Sequence, residues 1–367
     1  MELRPSGLTS RRPVSALHGA DRPDLTVLVV SWNTRGVLPH SLESVHRHVR
    51  SCRFETVVVD NASADGGADA LDGAFPNTLV IRNRDNPGFA AGCNIGLQYS
   101  SGRHVVLHGP DTLFESDAYS PMVSYLDSNP GVGALGCQLR NRDGSLQYSC
   151  GNFPTVWRQV LRSFHLGALL PSWLVGKSLA EHKGNHRALR DVDWLIGTGL
   201  MIPRRVLELV HGLNEEYFMY AEDLDLCYRI RQAGYRIMYS PETSLVHLGN
   251  YTGALKFGSY RARAVETSYL KFIDRHVAPQ TARKLRAIIG AGALADMLTR
   301  GVLLGLTGRP RHRDALAAAG QRIDALLTYR RRPEVGGQRP VAGDQKPVVG
   351  GQGPKAGDLR SAAGAGA

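Results

Sequence analysis

The chain has 367 residues, 43% of them hydrophobic, which is enough for a full core in one large domain with appendages or in two domains. Five scattered cysteines (Cys52, Cys93, Cys137, Cys150 and Cys227) include no C-x-x-C pair, which speaks against a disulfide framework and a zinc site and for reduced thiols in a cytosolic protein. The formal charge is +11 and unevenly spread: residues 256 to 330 hold 14 Lys or Arg against 5 Asp or Glu, an imbalance that fits an anionic surface as partner.

Residues 1 to 24 carry Arg4, Arg11, Arg12 and Arg22 with no apolar core, and read as a disordered leader rather than a secretory signal. Leu25 to Ser31 is an uncharged, β-branched run expected to be a strand buried on both faces. Helical spacing follows over 36 to 50, then a second buried strand over 55 to 60. A helix near 66 to 74, a strand at 78 to 82, a helix opened by Asn86-Pro87-Gly88 and a strand at 104 to 107 complete the first half. This alternation is the rhythm of βαβ units around a parallel sheet, whose ligands bind at the carboxyl ends of the strands. Ser31-Trp32-Asn33, Asp60-Asn61-Ala62-Ser63 and Gly109-Pro110-Asp111 should therefore converge on one edge.

A helix over 117 to 129 and a strand over 132 to 139 are expected next, and then an irregular segment from 154 to 190 that lines one side of the site. Glu222, Asp223 and Asp225 place three acids in four positions at a helix start, where the dipole favours them and where a general base would be held rigidly. Asp225 and Arg229 have the spacing of an intrahelical ion pair, and Gly234 suits the helix end. Two short strands, 235 to 239 and 244 to 247, end in His247. Residues 258 to 276 read as a basic helix and 281 to 306 as an apolar one interrupted by Asp296 and Arg300. With no run of about 18 uncharged apolar residues, a spanning helix is not expected, and the second helix suits the plane of a membrane interface. The tail from 331 to 367 is rich in Gly, Pro, Ala and Gln and reads as disordered.

Five ordered motifs, Val29-Val30-Ser31-Trp32-Asn33, Val58-Val59-Asp60-Asn61-Ala62-Ser63, Asn86 to Gly96, Gly109-Pro110-Asp111-Thr112 and Phe218 to Arg229, resemble the family-2 glycosyltransferases, in particular the rhamnosyltransferase-like branch of bacterial polysaccharide assembly. The resemblance spans about residues 25 to 250. It implies a GT-A-type α/β domain over 25 to 255, with a nucleotide-binding half (25 to 112) and an acceptor half (113 to 255), followed by a membrane-peripheral helical region over 256 to 330. It also implies an inverting transfer from a dTDP- or UDP-sugar, such as a deoxyhexose, to a lipid-linked saccharide, with Mg2+ or Mn2+ on the donor's diphosphate.

Carried over residue by residue, Asp60 would recognise the base, Asp111 and His247 would hold the metal, and Asp223, with Glu222 as fallback, would be the acceptor base. Ser31, Asn33, Asn61, Ser63, Asn86, Gly88 and Asn94 join Asp60 and Asp111 on the donor side. Trp194, Gly197, Thr198 and Gly199 would line the acceptor pocket. Gly109 departs from the family, which carries an acid or amide there. That departure keeps alive a non-catalytic, glycan-binding relative, beside a sugar nucleotidyltransferase as a rival enzyme. The expected location is the cytoplasmic face of the plasma membrane; nucleic acid is disfavoured because no aromatic platform accompanies the basic charge.

Overall fold

The computed structural model describes residues 22–166, 186–249 and 260–329. The expected leader (apart from residues 22–24), the expected tail and part of the 154-to-190 segment lie outside these residues. These described residues belong to one compact unit.

Strands β1 (Leu25–Ser31), β2 (Phe54–Asp60), β3 (Thr78–Arg82) and β4 (His104–Leu107) pair in parallel in the order β3-β2-β1-β4. Helices α1 (Leu38–His48) and α2 (Phe89–Gln98) follow β1 and β3 in the chain. Alternate residues of one strand serve opposite layers. Val27, Val29 and Val58 pack with Leu38, Leu42 and Val45 of α1, while Leu28, Val30, Val57 and Val59 pack with Ala90 and Cys93 of α2. Burying each such Val or Leu contributes about 1.5–3 kcal/mol. Both faces are covered, hence the near-continuous apolar runs.

The sheet extends beyond β4 through β11 (Leu200–Pro203), antiparallel to its neighbours, to β6 (Val132–Arg140), β12 (Arg236–His247) and β5 (Thr112–Leu113). Helix α3 (Tyr119–Ser128) leads into β6, the short strand β7 (Leu146–Gln147) turns back on it, and β9 (Arg190–Asp191) pairs with β12. A small second sheet joins β8 (Cys150–Gly151) to β10 (Trp194–Leu195). Helix α5 (Arg204–Leu209) follows β11, and α6 (Glu222–Gln232) carries the acid cluster, closed by Gly234 at φ +86°. All five cysteines are free thiols.

Three expectations are corrected. The helix near 66 to 74 shrinks to a 3-10 turn at Asp69–Leu71, because Gly66 and Gly73 both adopt left-handed φ of +69° and interrupt any longer helix. The two strands after 235 are one strand, β12, whose register shifts between Ser240 and Ser244; the bulge absorbs Pro241, which lacks an N–H. Within the segment expected to be irregular lies α4 (Val156–Ser163), capped by the Thr155 hydroxyl accepting from the Arg158 N–H. Its buried face includes Gln159 and Ser163, hydrogen-bonded to each other at 2.8 Å, so apolar spacing does not reveal it.

Helices α7 (Arg261–His276), α8 (Pro279–Thr307) and α9 (Pro310–Thr328) form a layer around Leu270, Ile273, Leu285 and Ile289. Gly292 of α8 is buried; a Cβ there would lie 2.5 Å from the Ser163 Cβ of α4. By length and composition α8 is apolar enough to cross a membrane, contrary to the expectation of no such helix. Asp296 accepts from His165 at 3.0 Å and pairs with Arg322 of α9 at 3.3 Å, so this interruption faces protein. Leu294, Leu298, Val302 and Leu306, four residues apart, form an outward apolar stripe.

Gly88 precedes α2 at φ +99°, and a Cβ there would strike the Phe218 carbonyl oxygen. Strain of this kind costs on the order of 1–3 kcal/mol, so Gly88→Ala should lower unfolding free energy by about 2 kcal/mol or more, read by denaturant titration. A change under about 0.5 kcal/mol would mean that the loop at 218 is free to move away.

Candidate active site

The parallel half of the sheet ends its strands on one edge, and a cleft of about 820 Å3 opens there. Ser31, Asn61, Asn86 and Gly88 line its first wall, and Asp111 and His247 its second. Trp194, Gly197 and Thr198 face it from β10 and the following turn, and Glu222 and Asp223 from the start of α6. Asn33, Asp60, Ser63, Asn94 and Gly199 do not line it.

Those five are bound elsewhere. The Asp60 carboxylate accepts from the Ser63 hydroxyl at 2.5 Å and the Ser63 N–H at 3.1 Å, which caps the turn after β2. Asn33 donates its backbone N–H to the Ser63 hydroxyl and accepts from the Ala64 N–H, stitching the β1 and β2 ends together. Asn94 grips the backbone N–H and C=O of Leu213. Gly199 is a packing glycine at φ +69°, where a Cβ would lie 2.9 Å from the Cys137 sulfur.

The acid pair reaches the cleft through an unusual turn. Tyr220 and Ala221 are successive non-glycine residues at φ +71° and +61°, a costly conformation of the kind found at functional sites. Neighbours hold it: the Phe218 carbonyl accepts from the Phe89 N–H at 2.8 Å, and the Met219 carbonyl accepts from the Ser268 hydroxyl of α7 at 3.0 Å. Behind it, Asp225 is fully buried between Arg229 at 2.7 Å and His276 at 2.6 Å, so the expected i, i+4 pair is present and also ties α6 to α7. Those partners hold the Asp225 carboxyl below its usual range despite burial.

Asp223 is oriented by backbone alone. One oxygen accepts from the Gly197 N–H at 3.0 Å and the other from the Leu224 N–H at 2.8 Å, leaving further lone pairs for the cleft. Burial raises its pKa while these bonds oppose the rise. Glu222 is buried, one of its carboxylate oxygens has no partner, and burial followed by the neighbouring Asp223 pushes its pKa well up. The pair titrates as a unit, with Asp223 the more readily ionised member.

Asp111 and His247 meet because β12 pairs with β5, opposing His247 to Thr112. The imidazole Nε2 lies 3.3 Å from an Asp111 oxygen, and Nδ1 lies 2.7 Å from the Gln147 amide oxygen, so Nδ1 carries the proton and Nε2 presents a lone pair. With Nε2 unprotonated the pair would fit a shared cation, since adjacent ligands on an octahedral ion with 2.0–2.1 Å bonds are about 3 Å apart. Among the described residues no group of three His, Cys, Asp or Glu could hold a metal, so a cation here would have at most these two protein donors and would need ligand oxygens or water for the rest. His108, buried beneath this turn, bonds to Ser41 at 2.9 Å and Tyr119 at 2.7 Å, and burial lowers its pKa to about 3. A Cβ at Gly109 would lie 2.8–3.1 Å from the Thr112 hydroxyl, an Asp111 carboxylate oxygen and the Thr198 hydroxyl, so a larger residue there would require these side chains to shift.

Sequence reasoning missed Gln147, which sets the His247 tautomer from a two-residue strand that carries no pattern. The expected lining by the 154-to-190 segment comes from Arg158, Gln159 and Arg162 of α4, but the part of the wall made by Arg261, Val265 and Tyr269 of α7 was missed. The i, i+4, i+8 spacing of the last three is the one available signal for them.

Comparison with known proteins adds the following. The family model described as glycosyltransferase like family 2 matches residues 23–278. An N-acetylglucosaminyl-diphospho-decaprenol L-rhamnosyltransferase of Mycobacterium tuberculosis is 26% identical over 233 residues, covering 60% of this chain and 75% of that protein. Rhamnosyltransferase WbbL of Escherichia coli is 27% identical over 172 residues, covering 45% of this chain and 62% of that protein. Among solved structures, a mannosyltransferase of Pyrobaculum calidifontis in complex with GDP-Man and Mn2+ superposes with a TM-score of 0.53 at 21% identity, covering 84% of this chain and 87% of that one. The fold is thus the nucleotide-sugar-binding α/β architecture that the motifs imply.

The unpartnered Glu222 gives a stability test. A carboxyl whose folded pKa is raised loses native-state stability as pH climbs from its unfolded value toward its folded one. Glu222→Gln should therefore raise thermal stability at neutral pH, by about 1 kcal/mol or more, and the gain should shrink to nothing as pH falls below the ordinary glutamate range. An equal gain at every pH would show that folding does not raise the Glu222 pKa.

Proposed function

The chain belongs to the glycosyltransferase-like family 2, and we propose that it transfers a deoxyhexose such as L-rhamnose, with inversion, from a dTDP- or UDP-sugar to a lipid-linked saccharide. That it is a hexosyltransferase follows from family, relatives and fold. The observation that carries the finer reading is the shared cleft, which holds Asp223 and Asp111 on facing elements of one wall system.

In this reading the nucleotide lies along the β1, β2 and α2 ends, against Ser31, Asn61 and Asn86, with Gly88 allowing close approach. Asn33, Asp60 and Ser63 frame that wall from behind. Asp111 and His247 would hold Mg2+ or Mn2+, which, when bound, neutralises charge building on the departing diphosphate. Trp194 and the turn at Gly197 and Thr198 seat the acceptor sugar. Asp223, held by two N–H groups, takes the proton from the acceptor hydroxyl at its free lone pair as that oxygen attacks the anomeric carbon. Glu222 stays protonated beside it and so leaves Asp223 as the ionised partner. One base and no covalent nucleophile means inversion. The relative from Mycobacterium tuberculosis, named for an L-rhamnosyl transfer to a diphospho-decaprenol acceptor, supports both the sugar and the lipid-linked acceptor.

A non-catalytic binder was the rival that Gly109 kept open. Against it stands the Asp111 and His247 pair, which the turn retains.

The outward stripe on α8 and the basic charge of residues 256 to 330 support attachment to an anionic membrane surface, where each Lys or Arg near the surface contributes about 1 kcal/mol.

With radiolabelled dTDP- and UDP-sugars and Mn2+, donor turnover should appear, and Asp223→Asn should lower transfer about 10²- to 10⁴-fold with little change in donor KM. Asp111→Ala should abolish metal stimulation. Tight glycan binding with no turnover of any donor would sink the enzymatic reading. Separately, Leu298→Glu combined with Leu306→Glu should release the chain from phosphatidylglycerol vesicles in sedimentation, and unchanged sedimentation would refute attachment through α8.

A further inference from the structure

The cleft has a second charged region that the donor reading leaves unused. Arg158 and Arg162 reach it from α4 and Arg261 from α7. Arg158 is committed: it lies 3.4 Å from Asp193 and donates to the Phe153 carbonyl at 3.1 Å. The other two differ. The Arg162 guanidinium lies over the Tyr269 ring at 5.3 Å and that of Arg261 over the Tyr220 ring at 5.9 Å. Among the described residues no carboxylate pairs with either.

Each arginine is held by its tyrosine, through the ring and a hydrogen bond to the hydroxyl, and a guanidinium with five N–H donors keeps others for an anion. Phosphate is the ligand whose oxygens match that fork. These arginines are also separate from the Asp111 and His247 pair, which comes from β5 and β12. Tyr220, which carries Arg261, sits two residues before Glu222, so an anion held there lies next to the acid pair rather than beyond the nucleotide wall. Arg162 adjoins Ser163, the residue on which Gly292 of α8 packs, and α7 runs through Val277 and Ala278 directly into α8. The helices that present the arginines are therefore those joined to the helix with the exposed apolar stripe.

We propose that Arg162 and Arg261 form a phosphate-binding subsite for the acceptor, gripping the phosphate or diphosphate that links its sugar to a lipid. The inference rests on the glycosyltransferase reading above. It assigns the cleft two anion sites, one cation-mediated for the donor and one arginine-lined for the acceptor, with Asp223 and Glu222 serving the sugar hydroxyl between them. A saccharide lacking the phosphate would lose that grip while still meeting Trp194 and the turn at Gly197.

The test is calorimetric binding of farnesyl diphosphate to the full chain with the donor site saturated by dTDP and Mn2+, with farnesol as the phosphate-free control. Wild type should bind farnesyl diphosphate more tightly than farnesol, and Arg162→Gln combined with Arg261→Gln should weaken farnesyl diphosphate by about tenfold or more while leaving farnesol unchanged. Arg162→Lys combined with Arg261→Lys should retain an intermediate affinity, which separates lost charge from lost folding. Equal affinity of wild type and the Gln variant would overturn the subsite, as would displacement of farnesyl diphosphate by dTDP and Mn2+, which would make the arginines part of the donor site. Loss of phosphatidylglycerol vesicle binding with farnesyl diphosphate affinity intact would overturn it in favour of a phospholipid headgroup. Donor hydrolysis by wild type reports on the glycosyltransferase reading independently, so failure of one is not mistaken for failure of the other.

Discussion

The hydrogen bond from the Phe89 N–H to the Phe218 carbonyl joins the two halves of the cleft. It ties the start of α2, in the parallel half of the sheet, to the loop that launches the acid-bearing helix. Without it, the left-handed pair Tyr220 and Ala221 would lack one of its anchors. Gly88 makes the approach possible because it has no Cβ to meet that carbonyl. A bond more than a hundred residues apart in sequence thus sets where Glu222 and Asp223 stand relative to Asp111.

Electrostatics then distinguishes carboxylates that look alike in sequence. Asp225, one turn into the helix, is spent on Arg229 and His276 and serves as a brace. Asp223 has backbone donors and an open side. Glu222 is buried with an unpartnered oxygen, the least favourable position for an ionised group. Three acids in one helical turn therefore differ, one braced by cations, one held by backbone N–H groups and one with its pKa pushed up, through desolvation and hydrogen bonding and not through chemistry of the side chains themselves.

The C-terminal helices extend the same logic. α7 braces the acid helix through His276 and lines the cleft with Arg261, Val265 and Tyr269. α8 turns Asp296 toward Arg322 and His165 and keeps Leu294, Leu298, Val302 and Leu306 outside. A sequence count treats Asp296 as an interruption; in three dimensions it is on the other side of the helix from the apolar stripe.

Local pattern was enough for much of this protein. Uncharged β-branched runs at 25 to 31 and 55 to 60 dictated buried parallel strands, because a strand covered on both faces has no position for charge, and the polar residues after them had to gather on one edge. The five motifs carried the family, and the spacing of Asp225 and Arg229 carried their ion pair. Tertiary structure decided the rest. Asp60, Asn33 and Asn94 are engaged by local and loop hydrogen bonds, which residue type does not reveal, and Gln147 has its role only because β7 folds back beside β12. Arg162 and Arg261 reach one cleft from helices about a hundred residues apart, and burial followed by the neighbouring Asp223 pushes the Glu222 pKa up. Periodicity reports which face of an element is covered; which polar atoms meet across elements depends on packing between segments that no local window contains.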